Sequence, residues 1–285
     1  MTFPVVAATN TTDISTDDTN HVINMPALIS AGDLLLVNFV KDGADDATIP
    51  GDWTTLKKFQ CNTADAWVYI LRKTAAGSDT LTITSTAAER SAAVAFRITG
   101  WHGTTQPEAA TEATGTDATA MNPPALTPSW GAEDTLWILC AGVNETATST
   151  TIPTNYGNAI TIAQTGIGEV QSGTCRRELN AISDDPDTWA WSAIRPFGVT
   201  TVAIRPAAVA DLNTRSKRAS SVNLLKPYIV DLVLPDASID QGDRQHSVWA
   251  YSGILAAGAA GSADLSTRMI FIPDFSLGMS QITGG

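Results

Sequence analysis

The sequence predicts an all-β protein, an antiparallel β-sandwich followed by an extended C-terminal segment with short strands. Short segments rich in β-branched and aromatic residues recur at close intervals, and Gly, Pro, Asp, Asn or Ser residues separate them. In residues 1–207 no apolar pattern of helical period lasts for three turns. Motifs of the first half also return in the second half, in the same order.

Ten segments have the composition and spacing of strands. They are Asp33–Val40, Trp53–Gln60, Ala66–Arg72, Thr80–Ser85, Ala92–Thr99, Thr135–Ala141, Ala159–Ala163, Arg176–Ala181, Trp189–Ala193 and Val199–Arg205. In Ala66–Arg72 apolar side chains occupy both alternating positions, so this strand has no polar face. A strand of this kind is packed on both sides, and we expect it at the centre of its sheet.

An internal repeat supplies the two sheets of the predicted sandwich. The matched segments are 24–28 with 122–126, 32–35 with 133–136, 49–53 with 152–156, 79–83 with 187–191, and 94–98 with 202–205. Their separation grows along the chain from 98 to 101, 103 and 108 residues. A separation that only grows is the result of insertions in loops between matched strands. We therefore expect two sheets, or two Greek keys, that close one sandwich.

The composition divides the chain into a main domain, a linker and a tail. Residues 1–207 form the predicted sandwich, and residues 208–222 are a polar, basic linker. Residues 223–285 are apolar but too few to close a stable core alone, so we expect them either to dock back on the sandwich or to be buried against another chain, where they would anchor the protein. The assembly contacts expected in this tail are Tyr228, Ile229, Arg244, Trp249, Tyr251 and Ile254.

Charge and hydropathy limit the partners. The formal net charge is −12, and an acidic surface repels both phosphate backbones and anionic membranes, which argues against nucleic-acid or membrane binding. The amino terminus lacks the basic and apolar regions of a secretory signal, and no apolar run is long enough to span a bilayer. We therefore expect a product that stays in the cytoplasm.

Motifs for catalysis are absent from the sequence. The three histidines have no metal-ligand spacing, and the three widely spaced cysteines are expected to be buried free thiols. The chain has no phosphate-binding glycine loop and no Gly-x-Ser-x-Gly elbow. A Ser-His-Asp arrangement can be drawn around His246, but a hydrogen-bonded turn explains the same residues. We therefore expect no enzymatic activity, no metal and no cofactor.

Two further features leave alternatives open. Three runs of aspartates, at 13–18, 42–46 and 184–187, offer oxygen ligands for Ca²⁺, but none has the full spacing of a calcium loop and all three suit ordinary turns. Trp101 and Trp130 lie beside turns, where they can stack on sugar rings or on a partner protein. Closure of the ends of the sandwich explains the same tryptophans.

Several segments together resemble a known module. In order, residues 25–37, 49–56, 71–75 and 95–101 resemble a jelly-roll β-sandwich module of structural proteins from tailed bacteriophages and prophages. The tail is similar, at residues 239–246 and 249–254, to terminal segments of proteins encoded among phage structural genes. The resemblance implies a jelly-roll-like sandwich and a virion component, with no catalytic residues to assign.

The function implied by this resemblance is that of a non-enzymatic virion structural protein, assembled in the host cytoplasm. The sandwich would be displayed on the particle as a tail, neck or collar appendage, and the tail segment would hold it to other virion proteins and to copies of itself. Two alternatives remain: a capsid decoration protein, and a glycan-binding module for host attachment through Trp101 or Trp130. A polysaccharide-degrading enzyme would need a pair of acids that the sequence does not single out.

Overall fold

The structure, a computed structural model, describes residues 2–61, 66–145, 147–163 and 169–208 of the chain. Within these residues the chain forms strands, turns and loops, and no part of it is helical. The all-β sandwich predicted from the sequence is confirmed. The predicted tail, and the linker from residue 209 onward, lie outside the described residues.

The described residues contain thirteen strands, which we number in chain order. The strands are β1 (Val5–Ile23), β2 (Leu34–Asp42), β3 (Ala47–Thr48), β4 (Thr54–Gln60), β5 (Ala66–Thr74), β6 (Leu81–Thr99), β7 (Glu108–Ala109), β8 (Ala113–Met121), β9 (Glu133–Asn144), β10 (Ser149–Thr151), β11 (Gly157–Ala163), β12 (Val170–Ala181) and β13 (Trp189–Ile204). We call β1–β6 the first repeat and β7–β13 the second repeat.

Each repeat forms one antiparallel sheet, and the two sheets have the same strand order. In the first repeat the order is β1-β6-β2-β5-β4, and the short strand β3 also pairs with β6. In the second repeat β13-β9-β12-β11 follow one another, and β7, β8 and β10 all pair with β13. The pairs β2 and β9, β5 and β12, and β6 and β13 therefore occupy equivalent positions. The predicted division into two sheets is confirmed, and the chain completes one sheet before it enters the other.

The two sheets share an inner core of aliphatic and aromatic side chains. Residues from β2, β5 and β6 of the first repeat pack there against residues from β9 and β13 of the second. Glycines let the sheets approach closely: a Cβ atom on Gly142 would lie 2.3 Å from Cγ2 of Val68, and one on Gly198 would lie 2.6 Å from Cε2 of Phe59. The absence of these Cβ atoms is a condition of the packing.

One polar side chain joins the sheets through the middle of this apolar core. The Nδ2 atom of buried Asn38, in β2, is 2.9 Å from the carbonyl oxygen of Ala141 and 2.9 Å from Oγ of Ser172. The same nitrogen lies 3.1 Å from the carbonyl oxygen of Gly173, and Oγ of Ser172 donates to the carbonyl oxygen of Asn38 at 3.1 Å. Because these partners lie on β9 and β12, Asn38 fixes the register of one sheet against the other.

Each sheet also has an outer core, because its longest strands bend over it. The pairing of β1 with β6 shifts register between Ile14 and Asn20, and beyond this point Leu81 and Ile83 pack on the outer face with Phe39 and Tyr69. In the second repeat Trp189 and Trp191 pack in the same way against β9. The prediction for Ala66–Arg72 is confirmed, since its side chains enter the inner and outer cores alternately.

The matched motifs of the sequence occupy equivalent places in the two repeats. The amide of Trp53 donates to the carbonyl of Pro50 at 3.0 Å, and the amide of Tyr156 donates to that of Pro153 at 3.1 Å, so both turns are closed alike. Both aromatic rings are buried in the outer core of their own repeat.

One of the predicted matches is wrong by a single residue. The sequence aligns Asp33 with Asp134, but Asp33 pairs with Arg97 while Glu133 pairs with Arg205 at the corresponding end of β13. Shifting the match by one residue also places Leu36 and Leu136 together on the inner face, where both are found. A shift of one residue reverses the face of every side chain in a strand, so the two repeats are offset here by 100 residues and not by 101.

The close approach at Gly142 gives a test by substitution. Gly142→Ala should lower the free energy of unfolding by about 1–3 kcal/mol, because its methyl group would overlap Val68 and lie 3.2 Å from both Cγ atoms of Val40. Gly51→Ala is the matched control, since nothing lies within 4 Å of its added Cβ atom. Urea unfolding of the purified variants measures both effects, and equal stability of the two would contradict the packing described.

Buried His21 gives a pH dependence. Its ring nitrogens lie 2.8 Å from Oγ of Ser91 and 3.0 Å from Oγ of Ser85, and burial, aided by Lys41, lowers the pKa of His21 to about 4. Between pH ~6.5 and 4 the unfolded chain therefore binds a proton that the folded chain does not, and stability should fall by about 3 kcal/mol as the pH falls. In His21→Gln this part of the loss should disappear from urea unfolding curves, and an unchanged pH slope would refute the assignment.

Candidate interaction surfaces

Trp101 closes one end of the sandwich. Its ring is 5% exposed and belongs to the inner core, and its Nε1 donates to the carbonyl oxygen of Gly32 at 2.9 Å. Its backbone forms an isolated bridge with Pro206. Trp101 therefore presents no free ring face in this structure, and its position matches the closing role that the sequence also allows.

Trp130 is half-buried in the turn before β9. Its Nε1 donates to Oγ1 of Thr135 at 3.0 Å, and its ring packs against the outer core of the second repeat. Part of the ring remains accessible. The six residues predicted as assembly contacts, Tyr228, Ile229, Arg244, Trp249, Tyr251 and Ile254, lie outside the described residues, so their role stays a prediction.

Both ends of the described chain meet at the end of the sandwich that Trp101 closes. Val5 at the start of β1 pairs with Thr99, and the amide of Ala207 donates to the carbonyl of Gly100 at 2.8 Å. The chain therefore enters the first repeat and leaves the second repeat at this one end. The loops that follow β2 and β9 lie at the opposite end, since these strands begin at the end where β6 and β13 finish.

A buried ion pair organises the outer side of the second repeat. Asp184 is 1% exposed, and its carboxylate accepts a hydrogen bond from Nε of Arg177 at 2.9 Å and another from the hydroxyl of Tyr156. The guanidinium carbon of Arg177 lies 5.0 Å from the centre of the Tyr156 ring. Burial and the neighbouring carboxylate raise the pKa of Tyr156. The cluster fixes the segment that leads into β13, because Asp184 also pairs through its backbone with Leu126.

In the first repeat a lysine pairs with the buried carboxylate beside the aromatic residue of the turn. The Nζ of Lys73 lies 2.7 Å from the buried carboxylate of Asp79 and 2.6 Å from the exposed carboxylate of Asp52. It also lies 5.9 Å from the centre of the Trp53 ring. Asp79 also accepts hydrogen bonds from the amides of Ala76 and Gly77. Each repeat therefore places a cation beside the aromatic residue of its turn. The two cations lie on equivalent strands, β5 and β12, but not at equivalent positions of these strands.

A polar cleft of about 530 Å³ lies near the buried ion pair. It is formed by the residue that follows β8, the turn between β10 and β11, and the segment that leads into β13. Its lining residues are Asn122, Thr151, Ile152, Thr154, Asp185, Pro186, Asp187 and Thr188. Asp185 and Asp187 are exposed and form no ion pair with any described residue.

The sequence pattern indicates the aspartates of this cleft but not their neighbours. Asp185 and Asp187 belong to a recognisable acidic run, whereas Asn122 and the threonines come from segments far away in the chain. Only the pairing of β8 and β10 with β13 brings these segments together. Among the described residues no group of three or more His, Cys, Asp or Glu side chains is arranged to hold a metal ion.

The described cysteines are all buried free thiols. Burial raises the pKa of the Cys61 thiol to about 12 and also raises the pKa values of Cys140 and Cys175. The thiolate form, which reacts and binds metals, is therefore disfavoured at all three positions. In the part of the chain that the structure describes, no helix is long and apolar enough to cross a membrane.

No protein-family model matches this chain, and no curated protein or solved structure matches it.

The ion pair at Asp184 predicts a large effect of one substitution. Arg177→Met would leave the carboxylate of Asp184 buried without its cation, and the free energy of unfolding should fall by about 3–5 kcal/mol. Arg195→Met is the matched control, because Arg195 and its partner Glu145 have side chains that are 37% and 57% exposed, and it should cost about 1 kcal/mol or less. Chemical unfolding compares the two, and equal losses would contradict a special role for Asp184.

Proposed function

We propose that this chain is a non-enzymatic structural protein of a bacteriophage particle. The two-repeat sandwich is displayed as a tail, neck or collar appendage, and residues 223–285 hold it to other virion proteins and to further copies of the chain. The protein then belongs to the virion and is assembled in the host cytoplasm. Repeated identical copies supply the contacts that bury an apolar tail.

The observation that carries the proposal is the convergence of the segments that resemble the phage module. Three of these segments, 25–37, 71–75 and 95–101, are separate in the sequence, yet they meet at the end of the first repeat that Trp101 closes. The amide of Gly32 donates to the carbonyl of Ala75 at 2.9 Å, the amide of Ala75 donates to that of Asp33 at 2.8 Å, and Trp101 donates to Gly32. Residues that share one structural unit support a common origin more strongly than scattered matches do.

The path of the chain also supports display on a particle. Residues 205–208 leave the sandwich beside the start of β1, so the chain that leads on to the tail departs from the sandwich at this one end. The loops that follow β2 and β9, at the opposite end, take no part in this connection. A capsid decoration protein would use the same arrangement at another position on the particle, so this alternative differs only in the surface that is bound.

Labelling of particles tests the proposal. Gold-labelled antibodies against the sandwich should bind at the tail, neck or collar of particles purified from cells that carry the gene. Labelling over the whole head would favour the decoration alternative. Absence of the protein from purified particles, with the full amount free in the lysate, would contradict both.

Substitutions in the full-length chain test the anchor. Trp249→Asp and Ile254→Asp should each reduce incorporation into particles at least tenfold, because a carboxylate in an apolar contact is poorly solvated. Ile194→Asp is the matched control, since Ile194 is an isoleucine of the sandwich that is 55% exposed, and incorporation should not change. Mass spectrometry of purified particles measures the copy number of each variant, and normal incorporation of both tail variants would refute the anchoring role.

A further inference from the structure

We infer that the polar cleft of the second repeat is a binding site for a glycan without acidic groups. This inference goes beyond the particle proposal and does not depend on it. The cleft volume of about 530 Å³ lies within the range of small-molecule sites in proteins. Six of its eight lining residues are polar and exposed, while the two apolar ones are less exposed, Pro186 being buried and Ile152 half-buried.

The chemistry of the lining selects the class of ligand. The amide of Asn122 both donates and accepts hydrogen bonds, the hydroxyl groups of three threonines do the same, and the carboxylates of Asp185 and Asp187 accept them. Hydroxyl groups that donate to carboxylates form short hydrogen bonds about twice as strong as neutral ones. A sugar presents many such hydroxyl groups around a ring whose C–H bonds can contact Ile152 and Pro186.

The same lining disfavours other classes of ligand. Among the described residues no Lys or Arg side chain lines the cleft, so a phosphate, a sulfate or an acidic sugar would meet two carboxylates without a compensating cation. A purely apolar ligand would leave the amide and hydroxyl groups without partners, which is costly. A neutral sugar satisfies these groups, and an amino sugar with a free ammonium group would add an ion pair.

Comparison of the two repeats indicates that Asp187 lacks, among the described residues, the structural ion pair that its counterpart Asp79 forms. Asp79 and Asp187 both lie two residues before the first buried residue of a long strand. In the first repeat Asp79 is buried against Lys73. Leu36 and Leu136 are equivalent, and their partners on the neighbouring strands are Arg72 and Glu178. The residues that follow these partners, Lys73 and Leu179, are therefore equivalent as well.

The second repeat therefore has no ammonium group at the position that would neutralise Asp187. Its cation, Arg177, pairs with Asp184 and leaves Asp185 and Asp187 facing the cleft. An acidic position that serves the fold in one repeat is free to contact a ligand in the other.

Binding of the full-length protein to immobilised oligosaccharides tests the inference. The probes are neutral hexose and N-acetylhexosamine oligosaccharides, amino-sugar oligosaccharides, and sialylated or uronic acid oligosaccharides as acidic counterparts. We expect binding to at least one neutral or amino-sugar probe, at least tenfold stronger than to its acidic counterpart, and unaffected by a calcium chelator. Binding to no probe, preference for acidic probes, or binding that requires calcium would overturn the inference.

Variants locate the binding in the cleft. Asp185→Asn with Asp187→Asn, and separately Thr154→Arg, should each weaken the binding at least tenfold, the first by loss of charged acceptors and the second by filling the cleft. Asp13→Asn is the matched control, because Asp13 is an exposed aspartate on β1 of the other repeat. This variant should bind the oligosaccharide as the unchanged protein does. Circular dichroism confirms that each variant is folded. Unchanged binding in folded Thr154→Arg would overturn the location.

A protein that binds glycans but is absent from particles would refute only the particle proposal.

Discussion

The close approach of the two sheets across the inner core is the constraint on which the rest of the structure depends. Gly142 and Gly198 leave space for Val68 and Phe59, and Asn38 joins β2 to β9 and β12 by hydrogen bonds within an otherwise apolar layer. Neither sheet could expose this face to water, because its residues are almost entirely aliphatic or aromatic. Each repeat therefore serves as the partner of the other, and one chain contains both halves of an interface.

The sequence predicts those parts of the fold where a short-range pattern is strong. The central strand β5 is recognisable because apolar residues occupy both of its faces, and the two halves are recognisable because their turns repeat. Strands β1 and β8 are missing from the prediction, since they are rich in Thr, Asp and Ala and lack regular alternation. Strands β6 and β13 are each predicted as two segments, because the mostly polar residues 86–91 of β6, and Pro196 and Gly198 of β13, resemble turns.

The candidate surfaces are harder to predict because they depend on contacts between distant residues. Trp101 and Trp130 stand beside turn residues, yet the indole nitrogen of each already has a partner within the fold. In the acidic run at 184–187, Asp184 is buried and paired while Asp185 and Asp187 are exposed, a difference that no periodicity encodes in an irregular segment. The offset of 100 residues between β2 and β9 likewise cannot be read from the sequence alone. It requires knowing which side chains of each strand face the inner core.

The two repeats also differ in a way that relates structure to function. Both have a cation beside the aromatic residue of their turn, but Lys73 and Arg177 reach it from different positions of equivalent strands. This exchange keeps the fold and alters the surface, because Asp185 and Asp187 of the second repeat line the cleft without an ion pair to any described residue. A duplicated sandwich can thus keep one repeat for stability while the other acquires a binding surface.

Native-state hydrogen exchange measures most directly whether the inner core unites the two repeats in one cooperative unit. Amides of β2 and β9 should be the slowest to exchange and should open with the same free energy, equal to that of global unfolding. Opening of either strand at a free energy lower by about 2 kcal/mol or more would mean that the repeats unfold separately, and would contradict a shared core as the basis of the structure.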